Sequence, residues 1–152
     1  MVNPEPDSKS RLRLWLRLLK TSRGIEATLR ERLRVEFNST LPRFDVMAAL
    51  MRHEKGLRMS ELSGVLKVSN GNVTGIIERL VEDDMVERVA VEGDRRATRV
   101  RLTRGGKMHF EKLASAHETW IDELLAGFAP EEADYLSAQL QAVEDQTEGS
   151  DT

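Results

Sequence analysis

The stretch EGDRRATRVRLT, residues 92–103, gathers Arg95, Arg96, Arg99 and Arg101 around a Gly-Asp turn in a chain whose formal net charge is -3. A guanidinium is a planar, permanently charged fork that bonds phosphate oxygens in pairs and sheds water more readily than an ammonium. Arginines on a projecting turn therefore suit a polyanion with a narrow groove, such as the minor groove of duplex DNA. Upstream, the segment SNGNVTGIIERL places Gly71, Asn72, Thr74, Gly75, Glu78 and Arg79 opposite an apolar stripe of Val73, Ile76, Ile77 and Leu80. Asn, Thr and Arg can bond base edges and phosphates in a major groove. The two glycines cost a helix about 1 kcal/mol each relative to alanine, a cost that makes sense where another surface must approach the backbone closely.

Bond-making chemistry finds no comparable support. His53, His109 and His117 stand at no metal-ligand spacing with nearby acids, no glycine-rich phosphate loop follows a strand, and no Ser or acid pair stands out from ordinary surface. The absence of cysteine excludes disulfides, thiolate ligands and a nucleophilic thiol. The expectation is a non-enzyme that needs no cofactor and no metal.

The surrounding pattern supplies elements that could hold these residues in place. Leu12, Leu16, Leu19, Leu29 and Leu33 predict a helix from Ser8 to about Glu36, broken in pattern only by Gly24. Pro42 opens a second helix carrying Phe44, Val46, Met47, Leu50 and Met51 as far as Gly56. SELSGVLK, with Ser60 as cap, and SNGNVTGIIERLVEDD, with Ser69 as cap, give two short amphipathic helices joined by three or four residues, which is a helix-turn-helix. Val86, Val89, Val91, Val100 and Leu102 around the Gly-Asp turn predict a hairpin, in which Arg99 and Arg101 share one side and the tip projects. Thr103 caps a long helix to about Phe128, Pro130 starts the last one, and the chain beyond Glu144 is expected to be disordered. The fold class is mainly α with a small β-hairpin.

Charge is unevenly spread over the 152 residues. Nine Lys or Arg stand against Glu26 and Glu31 between Lys9 and Arg34, and seven against Glu92 and Asp94 between Arg88 and Lys107, whereas the chain after Lys112 has ten acidic residues and no Lys or Arg. Salt screens charges beyond about 10 Å, so the local basic patches, not the total, govern attraction to a polyanion. No apolar run approaches the roughly 18 residues of a membrane span, and the first residues, MVNPEPDSKS, lack the order of a signal peptide, so a cytoplasmic location is expected.

The succession MSELSGVLKVSNGNVTGIIERLVEDDMVERVAVEGDRRATRVRLTRGGKMHF resembles the winged helix-turn-helix core of the MarR (multiple antibiotic resistance regulator) family, and the flanking helices resemble its dimerisation arms. The Asp-x-Arg wing signature is Asp94 and Arg96, and the resemblance implies that Arg96 reaches the minor groove while Asp94 helps to hold it. By the same resemblance Ser69, Asn70, Asn72, Thr74, Gly75 and Arg79 face the major groove, with Arg95 beside Arg96 at the tip. It further implies a homodimer, with residues 8–36 and 104–146 as the helical dimerisation region, 42–103 as the DNA-binding lobe and 147–152 as a disordered tail. EDDM departs from the family, which often has glycine before the second strand, so Asp84 or its neighbour must adopt a left-handed conformation.

A dimer also follows from the apolar outer helices, notably Leu14, Trp15, Leu18, Ile121, Leu125 and Phe128, and symmetry then implies a palindromic operator with half-sites about 34 Å apart. The family's pockets imply a small effector, an aromatic or phenolic carboxylate or its coenzyme A thioester, for which Arg11, Trp15, Arg17, Phe44, Met47, Met51 and His109 are the candidate residues. Release from the operator by that effector would make the chain a repressor. The rival class is a winged-helix protein-interaction module without DNA binding, against which the adjacent tip cations Arg95 and Arg96 speak.

Overall fold

A computed structural model describes residues 4–66 and 70–149, apart from the side chains of Asn70, Gly71 and Arg95. The element order is α1 (Asp7–Phe37), α2 (Leu41–Met51), β1 (Leu57–Arg58), α3 (Met59–Leu66), α4 (Asn70–Glu82), β2 (Val86–Val91), β3 (Asp94–Leu102), α5 (Arg104–Leu124) and α6 (Pro130–Glu148). The chain divides into two compact units, residues 1–117 and 118–152.

In the first unit, α1 buries only Leu29 and Leu33 and ends where Asn38 turns left-handed at φ 49°. There the N–H groups of Asn38 and Ser39 reach back to the carbonyls of Arg34 and Leu33, satisfying orphan acceptors of the last turn. Thr40 then caps α2, its hydroxyl oxygen accepting the Arg43 N–H at 3.3 Å, and Pro42 sits in the first turn, so the helix begins one residue ahead of the proline. Phe44, Val46, Met47, Ala49 and Leu50 of α2 are buried. They pack in a lobe core with Leu62 of α3, Val73, Ile77 and Leu80 of α4, and Val86, Val100 and Leu102 of the sheet, all buried.

The sheet has three strands in the order β1-β3-β2, antiparallel throughout, not the two of a simple hairpin. Leu57 pairs with Val100 and Arg58 with Arg99. A two-residue strand has no alternation to read, which is why the sequence pattern misses β1. Gly56, at φ +90°, lets the chain pass so close to β3 that an added Cβ would stand 2.6 Å from the Val100 carbonyl oxygen. The chain enters α3 directly from β1, which places Ser60 inside the helix and corrects its predicted role as cap. Glu61 takes that role instead, its carboxylate accepting the Arg58 N–H at 3.0 Å. The predicted cap of α4, Ser69, lies outside the described residues.

At the end of α4, Asp84 has φ 59°. The missing glycine is thus replaced by an aspartate in the left-handed region, the conformation the departure EDDM requires. β2 and β3 form the expected hairpin with Gly93 at φ 84° in its turn and a bulge between Ala90 and Val91. Thr103 follows as a cap on two counts: its hydroxyl donates to the Asp84 carbonyl at 2.6 Å and accepts the Gly106 N–H at 2.9 Å.

In the second unit, α5 stops at Leu124, short of the expected Phe128, and passes into a turn in which the Phe128 N–H bonds the Leu125 carbonyl. Gly127 and the approach to Pro130 account for this, since the residue before a proline is pushed out of the helical region, as Ala129 is at ψ 151°. Pro130 starts α6, and Glu132 accepts the Ala129 N–H at 3.1 Å. The helix runs on to Glu148, past Glu144 and into the segment expected to be disordered, so residues 147–148 at least are helical. The bond from Gln141 to Asp145 at 3.0 Å supports this extra turn. Tyr135, Leu136, Leu140 and Val143 of α6 are exposed.

Candidate nucleic-acid interface

Helix α4 has two faces. Val73, Ile77 and Leu80 are fully buried, while Asn72, Thr74, Gly75, Glu78 and Arg79 are exposed. Burial of the apolar stripe fixes the rotation of the helix, so the polar arc points outward whatever it meets. Beyond its chain neighbours and the backbone of its own helix, no described atom lies within 4 Å of the place where Gly75 would carry a Cβ. The glycine is therefore not required by packing within the lobe. Ser69 is outside the described residues, and for Asn70 only the backbone position at the start of α4 is described.

The wing resolves the arginine-rich stretch into separate roles. Asp94 stands at the tip, and its carboxylate accepts the backbone N–H of Arg96 at 3.0 Å. The aspartate thus braces the turn that carries Arg96, and the Arg96 side chain is exposed. Arg95 occupies the next position of β3, its side chain lying outside the description. Arg101 faces Glu87 across the strand pair and bonds it from Nε at 2.7 Å. Arg99 shares that face, opposite Val89 and Arg58, while Val100 and Leu102 between and beyond them are buried. Two of the four arginines therefore belong to the sheet surface, one of them neutralised, and the tip retains Arg96 with Arg95.

Arg43 is a residue that the sequence pattern passes over. Its guanidinium bonds Asp83, just after α4, at 2.8 Å, across 40 positions of chain. It lines, with Asn72 and Arg79, a cleft between α2 and α4. No local signal marks such a pairing.

The candidate effector residues are not gathered into one site. Phe44 and Met47 lie in the core: Phe44 stacks on His117 at 4.6 Å between ring centres and tilts against Phe110 at 5.4 Å, and Met47 is fully buried. Met51 and His109 are half-buried, with His109 edge-on to Phe37 at 6.5 Å. Arg11, Trp15 and Arg17 are exposed on the first half of α1, where Arg17 borders a basic groove with Arg13 and Lys20. Burial raises the Asp45 carboxyl above the ordinary carboxylate range, the positive charge of His117 pulling it down and Glu26 adding to the rise. On α1 the hydrogen bond and charge of Arg34 hold the exposed Glu31 carboxyl below that range. No group of three His, Asp or Glu suited to a metal occurs among the described residues. No helix among them is long and apolar enough to cross a membrane.

With this geometry in view, a MarR family model matches residues 38–97, from the end of α1 to the wing tip. A solved MarR family transcriptional regulator from Silicibacter pomeroyi is 33% identical, covers 94% of this chain and 99% of its own, and superposes with a TM-score of 0.77. The chain belongs to the MarR family. The HTH-type transcriptional regulator PecS of Dickeya dadantii is 29% identical over 66% of this chain, and the match spans only 62% of PecS. The structure of a MarR mutant from E. coli complexed with operator DNA shares the fold, with a TM-score of 0.75 at 24% identity over 91% of this chain and 99% of that one. These MarR relatives are transcriptional regulators and not enzymes.

Proposed function

We propose that this MarR family chain binds a palindromic DNA operator as a homodimer and represses transcription from it. α4 enters the major groove with Asn72, Thr74, Gly75 and Arg79 toward the bases and phosphates, and Arg96 enters the adjacent minor groove. The observation that carries this reading is the pairing, in one lobe, of the outward polar arc of α4 with a wing tip braced by the Asp94 contact to the Arg96 N–H at 3.0 Å. The complex of the E. coli relative with operator DNA supports it. Dimerisation is supported by the exposed apolar side chains of α1, such as Leu12 and Leu14, and of α6, such as Leu136 and Val143, because apolar faces of this extent mark interfaces.

The operator contacts have a direct test. Asn72→Ala and Thr74→Ala are expected to change the ranking of operator variants by about 1 to 3 kcal/mol per affected base pair, measured by competition binding. A uniform loss across all sequences would show that these side chains do not read bases.

Effector release follows from linkage. A ligand that binds best to a dimer whose two α4 helices are wrongly spaced for successive major grooves lowers the DNA-competent population. The effector is an aromatic or phenolic acid or its coenzyme A thioester, with exposed Trp15 stacking on the ring and Arg11 or Arg17 pairing with the anion. Trp15→Ala is expected to abolish release by a panel of such acids while sparing operator affinity in their absence. Release at the wild-type concentration would remove Trp15 from the ligand site.

A further inference from the structure

One flank of α4 forms a wall of a cleft of about 560 Å³, through Asn72, Gly75 and Arg79. The opposite wall is made by Asn38, Thr40 and Arg43, from the α1–α2 junction and the first turn of α2. The Thr40 hydroxyl oxygen is used as acceptor for the Arg43 N–H, which leaves its proton to donate. Arg43 gives one N–H to Asp83 at 2.8 Å, while its Nε is buried without a partner. Cations therefore stand on both walls, with one guanidinium only partly satisfied.

We propose that this cleft seats the sugar-phosphate strand bordering the major groove, with Arg43 as a phosphate-binding residue outside the reading helix. This rests on the DNA-binding reading above. A helix lying in a major groove has a ridge of phosphates along each flank, and such contacts set its register and depth. The flank bearing Asn72 and Arg79 must meet one of those ridges, and the α2 wall then touches the same strand from the outside. Asp83 takes one terminal N–H of Arg43 and competes for its charge, and the phosphate takes the terminal N–H groups that remain on this partly exposed side chain.

The test uses the full-length chain, an operator duplex and a random-sequence duplex of equal length, and a salt series read by fluorescence anisotropy. Arg43→Gln is expected to weaken both duplexes alike, by roughly 5- to 150-fold, and to make the slope of log K against log salt shallower by about 1. Arg43→Lys keeps the charge and is expected to keep the slope. Asp83→Asn breaks the ion pair but leaves the guanidinium, and is expected to bind as well as the unaltered chain or better. Equal weakening by Arg43→Gln and Asp83→Asn, or an unchanged slope in Arg43→Gln, would mean that Arg43 merely ties α2 to α4, and the proposal would fall. Failure of the unaltered chain to bind either duplex would instead remove the DNA-binding reading itself.

Discussion

Gly106→Ala is expected to destabilise the fold by about 3 kcal/mol or more, a loss on the order of 6 to 12 °C in Tm for a chain of this size. Gly106 sits in the first turn of α5 and is buried, and a Cβ there would overlap the Met85 carbonyl. That carbonyl cannot easily retreat, because it accepts the Thr103 N–H at 3.0 Å and follows Asp84, whose own carbonyl is held by the Thr103 hydroxyl. The junction thus joins the end of α4, the start of β2 and the start of α5 through backbone atoms, and only glycine fits between them. Gly105→Ala is the control, since its Cβ would meet only the Thr103 hydroxyl at 3.9 Å. On helix propensity that change is expected to be neutral or stabilising by up to about 1 kcal/mol. Thermal melts followed by circular dichroism separate the two, and equal Tm values would refute the close approach.

Arg96→Ala is expected to weaken operator binding by about 1 to 3 kcal/mol while leaving the melting temperature unchanged. The side chain is exposed at the wing tip and makes no contribution to the lobe core. Its backbone N–H, which Asp94 holds, survives the substitution, so the tip keeps its shape and loses only its charge. Arg101→Ala should behave differently, because Arg101 is already neutralised by Glu87 on the sheet face and exposed pairs of this kind contribute little. Unchanged operator affinity in Arg96→Ala, measured by anisotropy, would take the wing out of the binding surface.

Periodicity makes much of the fold readable from the amino-acid sequence. The stripe Val73, Ile76, Ile77, Leu80 set the rotation of α4: Val73, Ile77 and Leu80 are fully buried and Ile76 is half-buried at the edge. Pro42, Thr103 and Pro130 marked helix starts because each acts within one turn of chain, and the resemblance to a family that often has glycine before the second strand implied a left-handed residue at Asp84 or its neighbour, which is Asp84. What escaped was whatever depends on distant chain. β1 exists only because β3 lies beside it, and Arg43 meets Asp83 only after α2 and α4 have packed. The Ser60 cap failed for a related reason: the chain arrives from a strand and α3 already begins at Met59, so Ser60 lies inside the helix.

In the proposed function, the polar arc of α4 and the Arg96 tip together engage duplex DNA. Titration of the purified chain into a labelled random-sequence duplex, from low to physiological salt with no small molecule present, tests it most directly. Binding is expected at low salt, with log K falling linearly against log salt at a slope of several units, as phosphate contacts release counterions. Absence of binding at the lowest salt, from protein that melts cooperatively, would contradict it.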